Sequence, residues 1–149
     1  MSTTNERSLV GRWELLSRED LTSDGQRRIE PNLGSDPVAY LLYDAAGHFA
    51  VRFMRRDRKP AQDAPAQRTA GSSNNSRALL GYDAYFGRYT AGADGTVTQE
   101  LLGALSQRDV GKVVTRQFRI NGGELVITLE ATASDGEPVT RTLRWKRLA

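Results

Sequence analysis

The sequence predicts an all-β protein, a single antiparallel meander of about eight to ten strands closed into a barrel. Three observations carry this expectation. Apolar runs with period-two alternation recur along the chain, glycine-centred turns separate them, and helical periodicity is almost absent.

The turns are Ser23-Asp24-Gly25, Asp44-Ala45-Ala46-Gly47, Ala93-Asp94-Gly95, Asn121-Gly122-Gly123 and Ser134-Asp135-Gly136. Asp-Gly and Asn-Gly supply the positive φ that tight hairpins need. Between them, runs rich in β-branched and aromatic residues predict strands near 10–18, 26–30, 38–43, 48–55, 85–91, 96–103, 112–120, 124–133 and 138–147. Several runs alternate. Val114, Arg116, Phe118 and Ile120 share one face; Leu125, Ile127, Leu129 and Ala131 share another, opposite Glu124, Thr128 and Glu130. Phe49, Val51 and Phe53 alternate with His48, Ala50, Arg52 and Met54. A sheet with one wet face covers something on its other face. With too little helix to cover it, the sheet packs on another sheet or closes on itself.

The segment from Asp57 to Asn75 breaks the rhythm, being rich in Pro, Ala, Ser and Asn. Asn75 or Ser76 is placed to cap a short helix carrying Leu79, Leu80 and Tyr82. The stretch reads either as a lid closed by that helix or as a plain flexible loop.

The 149 residues fit one domain spanning 1–149. There is no cysteine, which excludes disulfides and thiolate metal sites and suits a reducing compartment. The start MSTTNERS has no apolar core, and no apolar run has the length of a membrane span, so the cytoplasm is the expected location. The formal net charge is +3, and the one dense basic cluster is Arg55, Arg56, Arg58 and Lys59 around Asp57. It reads as a solvated loop entrance, with no nucleic-acid motif beside it. His48 is the only histidine, so a histidine-rich metal centre is excluded; no P-loop, Gly-x-Gly-x-x-Gly or Gly-x-Ser-x-Gly accompanies it. No cofactor, no metal and no membrane or nucleic-acid partner is expected, and the chain is expected to be a monomer or homodimer.

The run LVGRWELLS places Gly11 and Trp13 on the first strand; the last strand, TLRWKRL, carries Trp145 and Arg147. In a barrel built from a meander, first and last strands meet. A glycine admits close approach, a tryptophan plugs the end, and an arginine can lie over its indole as a cation–π cap. Gly11, Trp13 and Arg147 are therefore the expected closure.

These residues resemble the lipocalin and wider calycin signature. The chain is more specifically similar to the lipocalin-like domain family of small stand-alone barrels, through LVGRWELLS, Asp24-Gly25, LGSDPVAYLLYDAAGHF at 33–49, FMRRDRKP at 53–60, YFGRY at 85–89, DGTV at 94–97, Val110-Gly111, TRQFRI at 115–120 and the closing pair Trp145 and Arg147. Family members often carry two histidines after the DGTV turn and a Pro-Asn-Trp before the Val-Gly. Here those positions read Gln99, Glu100 and Gln107-Arg108-Asp109, so roles resting on them do not carry over. The resemblance implies a barrel; related barrels include ligand carriers and natural-product cyclases and isomerases, so the fold leaves the function open.

Alternation places several polar residues on apolar faces: Arg116 with Val114 and Phe118, Arg141 with Leu143 and Trp145, Gln99 with Val97 and Leu101, and Tyr85 with Tyr89 across Gly87. An inward guanidinium needs a carboxylate, an anion or water beside it. A one-residue slip at a bulge would send these arginines to solvent instead. The expected catalytic set is Arg116, Tyr85, Tyr89 and Glu100, although alternation puts Glu100 outside. The expected ligand-binding set is Gln99, Phe53, Phe118, Arg141, Tyr40 and Trp145. The function they suggest is binding of a small, mainly hydrophobic metabolite in the interior, by a cofactor-independent cyclase or isomerase of a polyketide-like compound, or by a carrier that binds without turnover.

Overall fold

The computed structural model describes residues 9–58, 81–133 and 135–148. Within them the apolar runs form β1 (Gly11–Thr22), β2 (Arg27–Arg28), β3 (Val38–Tyr43), β4 (His48–Met54), β5 (Tyr82–Ala91), β6 (Thr96–Ala104), β7 (Val113–Asn121), β8 (Glu124–Thr132) and β9 (Pro138–Arg147). From β3 to β9 each strand pairs antiparallel with the next, and β1 pairs with both β3 and β9. Eight strands therefore close into a barrel. The two-residue β2 is the extra strand, laid against the far end of β1.

The turn between β3 and β4 shows how the hairpins are made. Gly47 sits at φ 92°, and the Asp44 carboxylate accepts the Ala46 and His48 N–H groups at 3.0 and 2.8 Å. An Asp that satisfies the turn's own donors, followed by a residue free to take positive φ, reverses the chain within four residues.

Some boundaries differ from expectation. β1 runs on to Thr22, and the strand expected near 26–30 shrinks to Arg27 and Arg28. Tyr82 opens β5 and so belongs to a strand, not to the expected short helix. The helix positions Leu79 and Leu80, and the 57–75 segment beyond Arg58, lie outside the described residues. A single 3-10 turn, Gln107–Asp109, joins β6 to β7. Among the described residues no helix is long and apolar enough to cross a membrane.

The core follows the alternation. Trp13 and Leu15 on β1, Leu41 and Tyr43 on β3, and Phe49, Val51 and Phe53 on β4 are buried, as are Leu125, Ile127, Leu143 and Trp145 on β8 and β9. Each large apolar side chain removed from water contributes about 1.5–3 kcal/mol. At one end Trp13 is fully buried, its indole N–H bonded to the Leu9 carbonyl at 3.0 Å. Arg147 lies over its ring.

Two bulges re-aim side chains. In β1 the register against β9 shifts between Leu15 and Ser17. Trp13 and Leu15 point inward before the shift, and Arg18 and Asp20 after it, so the inward face changes from odd to even residues. In β5 the register against β6 shifts between Phe86 and Gly87. There the Glu100 carbonyl comes so close that a Cβ on Gly87 would collide with it.

Candidate functional site

The inward faces of five strands bring polar groups to the middle of the barrel. Arg18 comes from β1 after its bulge, Tyr85 from β5, Gln99 from β6, Arg116 from β7, and Arg141 and Trp145 from β9. They wall one cavity together with Val51, Phe53, Ile127 and Leu143. Its volume is about 50 Å³, room for a few waters or one small polar group. Pockets for drug-sized ligands run to about 300–1,000 Å³. The interior is a small chamber with polar walls rather than a wide apolar cup, because three guanidiniums and several rings occupy the space.

The chamber is rich in positive charge. Arg141 grips Asp20 with two parallel bonds, Nε to Oδ1 at 2.9 Å and a terminal nitrogen to Oδ2 at 3.0 Å. Arg18 reaches the same Oδ2 at 3.5 Å. All three residues are buried. Burial by itself would raise the Asp20 pKa; the Arg141 hydrogen bonds and the two guanidinium charges outweigh it and hold the carboxyl below its ordinary value. Burial and repulsion by Arg141 pull the Arg18 pKa down. Arg116 adds a third guanidinium and has no carboxylate partner among the described residues.

The neutral groups are donors and acceptors held in place. Burial raises the Tyr85 pKa against the opposing Arg116 charge and hydrogen bond, so its hydroxyl stays protonated and can donate. Gln99 Nε2 donates to the Tyr43 hydroxyl at 2.8 Å, and burial likewise raises the Tyr43 pKa. The Gln99 Oε1 atom and the Trp145 indole N–H are buried without a hydrogen-bond partner. A buried polar group in that condition costs free energy unless something meets it. Gln99 and Trp145 are both among the residues that wall the chamber.

The sequence-expected residues divide three ways. Arg116, Tyr85, Gln99, Phe53, Arg141 and Trp145 line the cavity. Tyr89 and Phe118 are buried in the core but do not line it; the Tyr89 hydroxyl donates to the Asp44 carbonyl at 2.7 Å, at the plugged end. Tyr40 and Glu100 are corrected to the outer face. Tyr40 pairs with Arg52 across the strands and its hydroxyl lies 3.5 Å from Glu14; Glu100 lies 3.7 Å from Arg88 in an exposed pair. Strict alternation puts both on the wet side, and no bulge intervenes to turn them. His48 is exposed, its Nδ1 3.8 Å from Asp44.

The family model described as a lipocalin-like domain matches residues 10–148. The chain belongs to the lipocalin-like domain family. No match is found among curated proteins. A lipocalin-like barrel suits a small hydrophobic ligand.

Sequence reasoning missed Arg18, Asp20 and Asp83. The bulge after Leu15 hides the first two, since alternation counted from Trp13 sends Ser17 and Glu19 inward instead. Asp83 is only 4% exposed and stands opposite the buried Phe53, two residues before Tyr85. Its signal was present: counting back by two from Tyr85 places it on the inward face, but a helix was expected to extend to Tyr82.

Proposed function

We propose that this lipocalin-like barrel holds the oxygen-bearing end of a small, mainly apolar metabolite and acts on it as a cofactor-independent isomerase or cyclase of a polyketide-like compound. The observation that supports this is the meeting of Arg116, Tyr85 and the unpartnered Trp145 N–H at one chamber with apolar walls. Fixed donors in a dry site act most strongly where negative charge develops, as on the oxygen of an enolate. Tyr85, kept protonated by burial and lining the chamber, is placed to donate to that oxygen as the charge develops. At about 50 Å³ the chamber admits the oxygen-bearing head of such a molecule. A chain without cysteine fits a cytoplasmic setting for this chemistry.

One observation favours the second reading, a carrier. Asp20, the interior acid nearest the arginines, is tied to two guanidiniums and is not available as a base. The two readings part in deuterium oxide. Incubated with a panel of small β-dicarbonyl compounds, an enzyme exchanges the proton between the carbonyls and loses that exchange in Tyr85→Phe. A carrier exchanges nothing, yet native mass spectrometry of freshly purified protein finds a retained molecule that Arg116→Met releases. Neither exchange nor retention would contradict both readings.

A further inference from the structure

Outside the barrel the strands build a second, larger recess. Two cross-strand rows form it. One runs Arg12, Leu42, Ala50, Phe86; the other runs Tyr40, Arg52, Ala84. These are outward positions of β1, β3, β4 and β5. The recess measures about 610 Å³, roughly the size of a drug-sized ligand site. Its floor is low because Ala50 and Ala84 are small, and its walls are Tyr40, Leu42, Phe86 and Leu105, each at least 40% exposed. Phe86 is held in place from beneath. Its ring covers Gly103 so closely that a Cβ there would overlap it. The backbone N–H of Leu105 is tied to the Ala84 carbonyl at 2.8 Å.

Charge says what would fill this recess. Arg12 stands at one end and Arg52 in the middle, and neither has an ion-pair partner among the described residues. Several other surface arginines are paired, Arg28 with Asp135 and Glu137, Arg55 with Asp57, Arg56 with Asp36, and Arg144 with Glu124, while the exposed Arg27, Arg108 and Arg119 are without an ion pair among the described residues. What sets Arg12 and Arg52 apart is that both line one apolar recess. Glu14, opposite Tyr40 on β1, does not line the recess and lies 3.5 Å from the Tyr40 hydroxyl. Two unpaired guanidiniums beside a rigid apolar wall match a flat apolar body carrying one negative group.

We propose that this outer recess is a binding site for a small aromatic carboxylate. The ring system rests on Phe86, Leu42 and Leu105, and the carboxylate meets Arg52, with Arg12 adding longer-range attraction. The site is separate from the interior chamber and shares none of its charged residues, so it stands whether or not the interior binds a ligand.

The test uses 2-naphthoate and its neutral isostere 2-naphthamide, followed by calorimetry and by ligand fluorescence on the full chain. The acid is expected to bind saturably with one site and about tenfold more tightly than the amide, the range of a charge-assisted hydrogen bond. Arg52→Gln should erase that preference. Phe86→Ser should weaken acid and amide alike, and Arg116→Met should change neither. Equal binding of acid and amide, or a preference that survives Arg52→Gln, would overturn the proposal. So would loss of naphthoate binding in Arg116→Met, which would place the molecule inside the barrel. Sedimentation showing a dimer that Phe86→Ser converts to monomer would make the recess a contact between copies and overturn it too.

Discussion

The Arg147 guanidinium carbon lies 4.2 Å from the centroid of the Trp13 ring. One of its terminal nitrogens donates to the Val10 carbonyl at 2.9 Å. Gly11, between Val10 and Trp13, takes φ 145°, and a Cβ there would stand 2.8 Å from the same guanidinium. The glycine is what lets the last strand's arginine cover the first strand's tryptophan. Trp13→Ala should therefore cost about 3–5 kcal/mol, as for a buried large aromatic. Arg147→Ala should cost about 1–2 kcal/mol, and the double-mutant cycle should return a coupling of up to about 2 kcal/mol. Additive single losses in urea unfolding would show the stacking to be incidental.

Asp20 gives an acid-side expectation. Its folded pKa lies below the ordinary 3.8. A depressed carboxylate stabilises the fold above its unfolded pKa, and that contribution fades as pH falls through the lower, folded value. Unfolding free energy should decline below about pH 4, near the unfolded carboxylate pKa. Asp20→Asn should remove part of that slope, while costing about 3–5 kcal/mol at neutral pH by leaving Arg18 and Arg141 buried without a carboxylate. A variant as stable as the parent would contradict the ion cluster.

Tyr43 and Tyr85 make the opposite prediction at high pH. Burial raises both pKa values. A raised pKa contributes stability below the unfolded value, about 10, and that contribution is lost as pH rises toward the folded value. Tyr43→Phe and Tyr85→Phe should leave unchanged the phenolate absorbance that the folded protein gains near pH 10. A drop in that signal would mean the hydroxyls are open to water.

The basic cluster at the β4 exit is tied down rather than arrayed. Arg56 pairs with Asp36 at 3.0 Å, and Arg58 lies 5.5 Å over the Tyr82 ring; Lys59 lies outside the described residues. Such exposed contacts contribute little. Arg56→Gln and Arg58→Gln should each leave stability within about 0.5 kcal/mol. Salt-sensitive RNA binding abolished by these changes would assign the cluster another role.

How much of this was legible in the sequence depended on whether alternation ran unbroken. β7, β8 and β9 keep period two, so Arg116, Arg141 and Trp145 could be placed from the chain alone. β1 does not: one extra residue after Leu15 reverses the faces and brings Arg18 and Asp20 inside, and nothing local in SRED announces it. The volume of the interior was not legible either. Alternation names the inward side chains, but whether they leave a cup or a 50 Å³ chamber depends on how three guanidiniums and their carboxylate fold against the rings. The outer recess was invisible for a further reason, since it arises where Leu42, Ala50 and Phe86, far apart in the chain, become neighbours across three strands.

The two tryptophans offer the most direct test of the interior as a site for an oxygen-bearing ligand. The Trp13 indole N–H is bonded to Leu9, whereas that of Trp145 is buried at the chamber without a partner. Titration of 15N-labelled protein with hexanoate, followed through the two indole N–H resonances, separates them. The expected result is a saturable downfield shift of the Trp145 signal with the Trp13 signal unmoved, and loss of that shift in Arg116→Met. A Trp145 signal that stays fixed to saturating hexanoate, or one that shifts equally in Arg116→Met, would contradict the proposal that the chamber receives the ligand's anionic end.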